Sequence, residues 1–119
     1  MQDLVRALKA VSDETRLRSL HVLLKRDCCV CEVMQALDIS QTRASRNLMI
    51  LYDAGFLALR KEGLWSLYSV DKSIMTGFLP SLLDAVSKGL EGTEVVQKDR
   101  ERLARADRVG PGCVRQSGE

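Results

Sequence analysis

The spacing of apolar residues changes twice along this chain, and that double change limits the fold more than any other feature. Up to residue 52, apolar side chains recur every three or four positions, as helices require. From 56 to 70 the period shortens to that of strands, around Lys61-Glu62-Gly63, where glycine suits a hairpin turn. From 74 to 90 the helical period returns.

The first stretch divides into four helices. Leu4, Ala7, Leu8 and Val11 mark a helix over 3–11. Ser12 and Asp13 are good N-cap types for a second helix, with Leu17, Leu20, Leu23 and Leu24 as its apolar face. The segment 27–29 breaks that pattern. Val30, Val33, Met34 and Leu37 then make a short third helix. Asp38-Ile39-Ser40 is a tight turn, and Ser40 is the expected N-cap of a fourth helix over 41–52, with Ala44, Leu48 and Leu51 inward. Gly55 stops it. Strands are expected over 56–59 and 64–70. The next helix, over 74–90, carries Ile74, Phe78, Leu82, Leu83 and Val86, and Pro80 within it marks a kink or a start. Residues 94–107 read as a charged helical stretch with a solvated face, and Gly110-Pro111-Gly112 opens a tail.

This order is that of a winged helix-turn-helix, a mainly α fold with one β-hairpin. The 119 residues suffice for one compact domain. We place the winged unit over 1–92 and a charged extension with a tail over 93–119. Aromatic residues are only 4%, so the core rests on Leu, Val, Ile and Ala. The net charge is +2, so nucleic-acid binding has to come from local basic clusters. No apolar run approaches 18 residues, and no membrane span is expected. Met1-Gln2-Asp3-Leu4 lacks the basic and apolar regions of a signal peptide, which makes a cytoplasmic location the expectation. In that reducing compartment the four cysteines are more readily ligands or redox thiols than disulfides.

In a helix-turn-helix, the N-terminal residues of the second helix enter the major groove. Here these are Ser40, Gln41, Thr42, Arg43, Ser45 and Arg46. Arginine reads guanine or holds phosphate, glutamine suits adenine, and hydroxyls suit phosphate oxygens. Arg60 and Lys61 are expected at the hairpin tip, where a wing meets the adjacent backbone, and Arg16 and Arg18 add candidate phosphate contacts. The expected partner is therefore double-stranded DNA.

Cys28, Cys29 and Cys31 stand at the start of the third helix. Thiolates select soft, thiol-seeking ions. On an α-helix, residues advance by about 100° each. Cys29 and Cys31 would then point away from one another while Cys28 and Cys31, three apart, would lie on similar faces, so binding all three would need the first turn to unwind. That distortion would reach the recognition helix through the third helix. The same thiols are open to oxidation. Cys113 lies alone in the tail. An enzyme is not expected. There is one histidine, His21, and no βαβ pattern surrounds the cysteines. The 74–90 helix holds a single carboxylate, Asp84, which disfavours a zinc or nickel site there and leaves cadmium or lead on the cysteines open.

Several segments resemble, in order, those of the ArsR/SmtB family of metal-responsive repressors. Val11-Ser-Asp-Glu-Thr-Arg-Leu-Arg-Ser-Leu20 is similar to its second-helix motif. Cys29-Val-Cys-Glu-Val-Met-Gln-Ala-Leu37 resembles the cysteine box of its arsenic-responsive branch. Ser40-Gln-Thr-Arg-Ala-Ser-Arg-Asn-Leu48 resembles its recognition helix, Ala54-Gly-Phe-Leu57 the entry to its wing, and Arg60-Lys-Glu-Gly-Leu-Trp-Ser-Leu-Tyr68 the wing. The resemblance implies a homodimer built from the first and last helices of the fold. It implies a repressor of an arsenic-resistance operon that is released by arsenite or antimonite. It also implies that Cys29 and Cys31 are ligands. The family's frequent third cysteine aligns with Met34, which leaves Cys28 and Cys113 as the alternatives for the third sulfur.

Overall fold

A computed structural model describes residues 1–108; Cys113 and the expected tail lie outside the described residues. The elements are α1 (Gln2–Ala10), α2 (Glu14–Lys25), α3 (Val30–Leu37), α4 (Gln41–Asp53), β1 (Ala58–Glu62), β2 (Trp65–Ser69), α5 (Leu79–Leu90) and α6 (Glu94–Ala104), with a short 3-10 turn at Lys72–Ile74. This is a winged helix-turn-helix, with α3 and α4 as its paired helices and β1–β2 as its wing. No helix among the described residues is long and apolar enough to cross a membrane.

Local chemistry sets the helix ends. Asp13 caps α2 by accepting from Arg16 N at 3.0 Å, and Ser40 caps α4 by accepting from Arg43 N at 3.2 Å. Between α3 and α4, Asp38 adopts φ 55 and returns its N–H to Met34 O, the left-handed turn that aspartate tolerates. Gly55 ends α4 at φ 96. A Cβ there would sit 2.9 Å from Leu79 Cδ1, so both the backbone and the close approach of α5 call for glycine. Leu20, Val33, Leu37, Leu48, Leu51 and Phe56 close the core between the helices. Burying a leucine such as Leu48 stabilises by about 1.5–3 kcal/mol.

Three expectations change. The wing turns at Gly63-Leu64 rather than around Lys61-Glu62-Gly63, because Glu62 pairs with Trp65 in the ladder. Arg60 and Lys61 therefore lie within β1 rather than at the tip. Phe56 and Leu57 are buried ahead of β1 instead of starting it. Pro80 sits in the first turn of α5, so the helix starts at Leu79, and Ile74 belongs to the separate 3-10 turn.

The charged stretch α6 is not a solvated rod. It buries Val96, Asp99 and Leu103 and packs along α2 and α3. Asp99, 0% exposed, accepts from Arg18 Nε and Nη2 at 2.8 Å each and from Arg102 Nη2 at 2.8 Å. Arg18 and Arg102 also donate to Leu37 O (2.9 Å) and Ala36 O (2.8 Å), so they satisfy carbonyls at the end of α3. Arg16 donates to Ala10 O, Lys9 O and Asn47 Oδ1, tying α1 to α4. Both arginines thus turn inward rather than toward a phosphate backbone.

His21 is buried, and its Nδ1 has no hydrogen-bond partner among the described residues. Burial lowers its pKa from the ordinary 6.5, Lys25 and Arg100 lower it further, and Asp99 opposes them. The folded state therefore holds His21 neutral while the unfolded chain protonates near 6.5. Its contribution to stability is complete above that value and is lost as pH falls below it. Melting temperature should fall between pH 7 and pH 5, and His21→Leu should flatten that slope. An unchanged slope in the variant would assign the acid sensitivity elsewhere.

Candidate metalloid site and DNA-reading surface

The cysteines separate into two environments. Cys29 is the N-cap of α3, with φ −82 and ψ 170. It is extended rather than helical, so the expected 100° step from Cys29 does not apply. The thiols of Cys29 and Cys31 instead meet, with their sulfurs 2.8 Å apart, and no unwinding is needed to bring them together. They form a small cluster with Leu67, against which Met34 and Trp65 pack. Met34 contributes apolar contact there.

Cys28 goes elsewhere. Its backbone is bridged to the wing, with Cys28 N donating to Tyr68 O at 3.1 Å and Tyr68 N donating to Cys28 O at 2.8 Å. Its side chain belongs to the main core, and its thiol donates to Arg26 O at 3.4 Å. Burial, reinforced by the charge of Glu32, pushes its pKa up to about 12. For Cys28, burial outweighs any help from the nearby helix N-terminus, and the thiol stays protonated at neutral pH. Among the described residues, no group of three or more His, Cys, Asp or Glu could hold a metal ion. The structure thus brings together two of the expected sulfurs and not the third.

Glu32 organises the start of α3. Its Oε1 accepts from Cys29 N at 3.0 Å and from Arg108 Nε at 2.9 Å, and its Oε2 accepts from Arg26 Nη1. Burial pushes its carboxyl up, but the Arg26, Cys29 and Arg108 donors outweigh it and hold the group below the carboxylate range. Glu32 stands three residues after the N-cap, the capping-box position, and that spacing was the available sequence signal for Cys29 as a cap. The chain beyond α6 covers this end of α3. Asp107 O lies 3.7 Å from Cys31 Sγ and accepts from Gln35 Nε2 at 2.7 Å, while Asp107 N donates to Gln35 Oε1 at 3.0 Å.

The thiol pair has two routes to α4. α3 packs directly on α4 through the core that contains Val33, Leu37, Ala44 and Leu48. The wing touches α4 as well, where Tyr52 and Tyr68 stack edge to face with ring centroids 6.5 Å apart.

On α4, Gln41, Thr42, Ser45 and Arg46 line one open, concave surface. Arg43 is exposed but donates to Thr15 Oγ1 at 3.1 Å, and Ser40 is engaged as the cap. In β1, Arg60 is held by Asp27 at 2.6 Å and Glu62 at 2.8 Å, whereas Lys61 is exposed. The first four residues thus share one open face, Lys61 is an exposed cation on the wing, and Arg60 is held by two carboxylates.

Residues 13–58 match the model of a family described as bacterial regulatory protein, arsR family. The chain is 35% identical over 99 residues to the arsenic resistance transcriptional regulator ArsR1 of Pseudomonas putida, a match covering 81% of this chain and 73% of that protein. It is 39% identical over 70 residues to the cadmium resistance transcriptional regulatory protein CadC homolog of Staphylococcus aureus, with 58% of each chain covered. Its fold is similar to a homodimeric winged helix-turn-helix DNA-binding domain from Mycobacterium bovis, with TM-score 0.64, 24% identity, and 78% of this chain and 82% of that one covered.

Proposed function

This chain belongs to the arsR family of bacterial regulatory proteins, in its arsenic-responsive branch, and from that premise we propose an operator-binding homodimer released by trivalent arsenic or antimony. The family consists of transcriptional regulators rather than enzymes, and this member is a repressor. The observation that carries the inducer reading is the Cys29–Cys31 pair, 2.8 Å apart at the end of a helix packed on α4. Two converged sulfurs suit a soft, thiol-seeking ion. Capture there displaces α3 and takes α4 out of register with the groove. The coupling expected for such a switch is about 1–3 kcal/mol.

Gln41, Thr42, Ser45 and Arg46 are the groove residues in this reading, with Arg43, Ser40, Lys61 and Arg60 supporting backbone contacts. Leu4, Val5 and Leu8 on α1 are 37%, 41% and 44% exposed, an apolar face that a second copy would cover together with α5. Arg46→Ala should weaken specific binding by about 1–3 kcal/mol if the side chain reads a base. If it holds a phosphate instead, affinity should fall evenly across sequences and the salt slope should drop by about one. Binding that is unchanged at every salt concentration would remove Arg46 from the interface.

Gel-shift assays on DNA upstream of the chain's own gene, with arsenite, cadmium and peroxide in parallel, test the inducer. Release by arsenite supports the reading. Release by cadmium alone would favour the chemistry named for the Staphylococcus aureus relative, and release by peroxide alone would make the thiol pair a redox switch.

A further inference from the structure

We propose that the cleft between α2, the end of α5 and the start of α6 binds a small tetrahedral oxyanion of the phosphate class, held by Lys25, Arg100, His21 and the first N–H groups of α6. The cleft shares no residue with the thiol pair or with the open face of α4, and the site stands independently of the metalloid reading.

Three observations converge on an anion. The first is an orphaned polar atom. His21 is 8% exposed and lines the cleft, and among the described residues its Nδ1 is the one buried side-chain nitrogen or oxygen without a hydrogen-bond partner. Buried polar groups are almost always paired, so an orphan beside a cleft marks the place of a missing partner. The second is a pair of uncommitted cations. Lys25 enters the cleft from α2 and Arg100 from α6, and neither forms an ion pair among the described residues. Both lie near enough to His21 for their charges to act on the imidazole. The third is the helix end itself. Thr93, the N-cap of α6, turns its hydroxyl to Leu90 O at 3.0 Å and caps no N–H with its side chain. The first intrahelical bond runs from Gln97 N to Thr93 O, so the N–H groups of residues 94–96 have no partner within the helix. Thr93 and Val96 line the cleft, and the positive end of the α6 dipole therefore opens on it.

The opposing charges are weaker. Glu91 lines the cleft but is exposed, and Glu94 is paired with Lys98 at 3.8 Å. Asp99 acts on His21 as well, but its oxygens are taken by Arg18 and Arg102. The lining side chains thus set two cations against one carboxylate, which also excludes a metal cation. The cleft measures about 230 Å³, below the roughly 300–1,000 Å³ of sites for drug-sized ligands, so it suits a free ion with its water. Donors arriving from two helices and a helix end match an ion with four oxygens better than a carboxylate with two. Its effect is mechanical. α6 runs from this cleft to the end of α3, where Arg102 holds Ala36 O at 2.8 Å, so an occupant pins α6 to α2 and steadies the seat of α3.

The test titrates the reduced full-length protein with inorganic phosphate in phosphate-free buffer, with ionic strength held constant by chloride. His21 is the one histidine of the chain, so its imidazole proton resonances report on the cleft without overlap. The proposal expects those resonances to shift saturably. It also expects the melting temperature to rise by about 5 °C or more once phosphate exceeds its dissociation constant a hundredfold. Sulfate should compete, and acetate and glycerol phosphate should each bind at least tenfold more weakly. Lys25→Gln and Arg100→Gln replace exposed side chains, so both should fold, and each should bind phosphate at least tenfold more weakly. Lys98→Gln, a cation of α6 outside the cleft, should bind it as the parent does. A shift that stays linear in phosphate, or one equally strong in Arg100→Gln and the parent, would overturn the site. Tighter binding of acetate or glycerol phosphate than of phosphate would overturn the assignment to a free tetrahedral ion.

Discussion

Cys31→Ser is expected to bind operator DNA as tightly as the parent chain and to keep it when arsenite is added. Cys31 is fully buried beside Cys29, and a serine hydroxyl has neither the softness nor the acidity to hold trivalent arsenic. The fold should accept the change, because Asp107 O stands nearby as an acceptor for the new hydroxyl. The candidate reading face on α4 is untouched. In the parent chain, a coupling of about 1–3 kcal/mol corresponds to a roughly 5–150-fold loss of DNA affinity on loading. In the variant that ratio should collapse to about one. The check is the DNA dissociation constant with and without arsenite for the two proteins. A variant that still releases DNA in parallel with the parent would place the sensing site elsewhere.

Asp99→Ala should be among the most destabilising single changes at the described residues. Asp99 is 0% exposed and receives three hydrogen bonds from two guanidinium groups, Arg18 and Arg102. Its removal leaves Arg18, whose side chain is only 15% exposed, without its counter-charge. Breaking a buried pair from one side typically costs about 3–5 kcal/mol. That is a large part of the roughly 5–15 kcal/mol stabilising a domain, and it should lower the melting temperature by about 10–20 °C. The same arginines satisfy the carbonyls of Ala36 and Leu37, so the loss also loosens the end of α3 next to the recognition helix. Replacing Arg18 and Asp99 together by leucine should recover part of the stability, since it removes the more buried guanidinium along with its counter-charge and leaves the more exposed Arg102 without a carboxylate partner. Thermal denaturation decides it, and a fall of under about 2 °C in Asp99→Ala would mean that water already screens the cluster.

The helices, the caps at Asp13 and Ser40 and the hairpin were legible because each rests on local chemistry: a period, a capping oxygen, a glycine. The position of the candidate reading face was legible for the same reason, since the N-terminal turn of the fourth helix follows from where that helix begins. What the sequence concealed is long-range or depends on a single dihedral. Asp99 looks like any acid in a charged run, and its partner Arg18 lies 81 residues away. The expected divergence of Cys29 and Cys31 assumed that both are helical. The extended backbone at the N-cap reverses that conclusion, and Glu32 was its only local sign. Arg60 and Lys61 moved from the tip into the strand because a two-residue turn at Gly63-Leu64 lets the ladder run on to Glu62 and Trp65.

The most direct test of the account is fluorescence anisotropy of labelled DNA from upstream of the chain's own gene, bound by the reduced protein and titrated with arsenite. The account predicts tight binding that is lost as arsenite reaches about one equivalent per subunit, with the dissociation constant rising roughly 5–150-fold. A dissociation constant unchanged at saturating arsenite would contradict it.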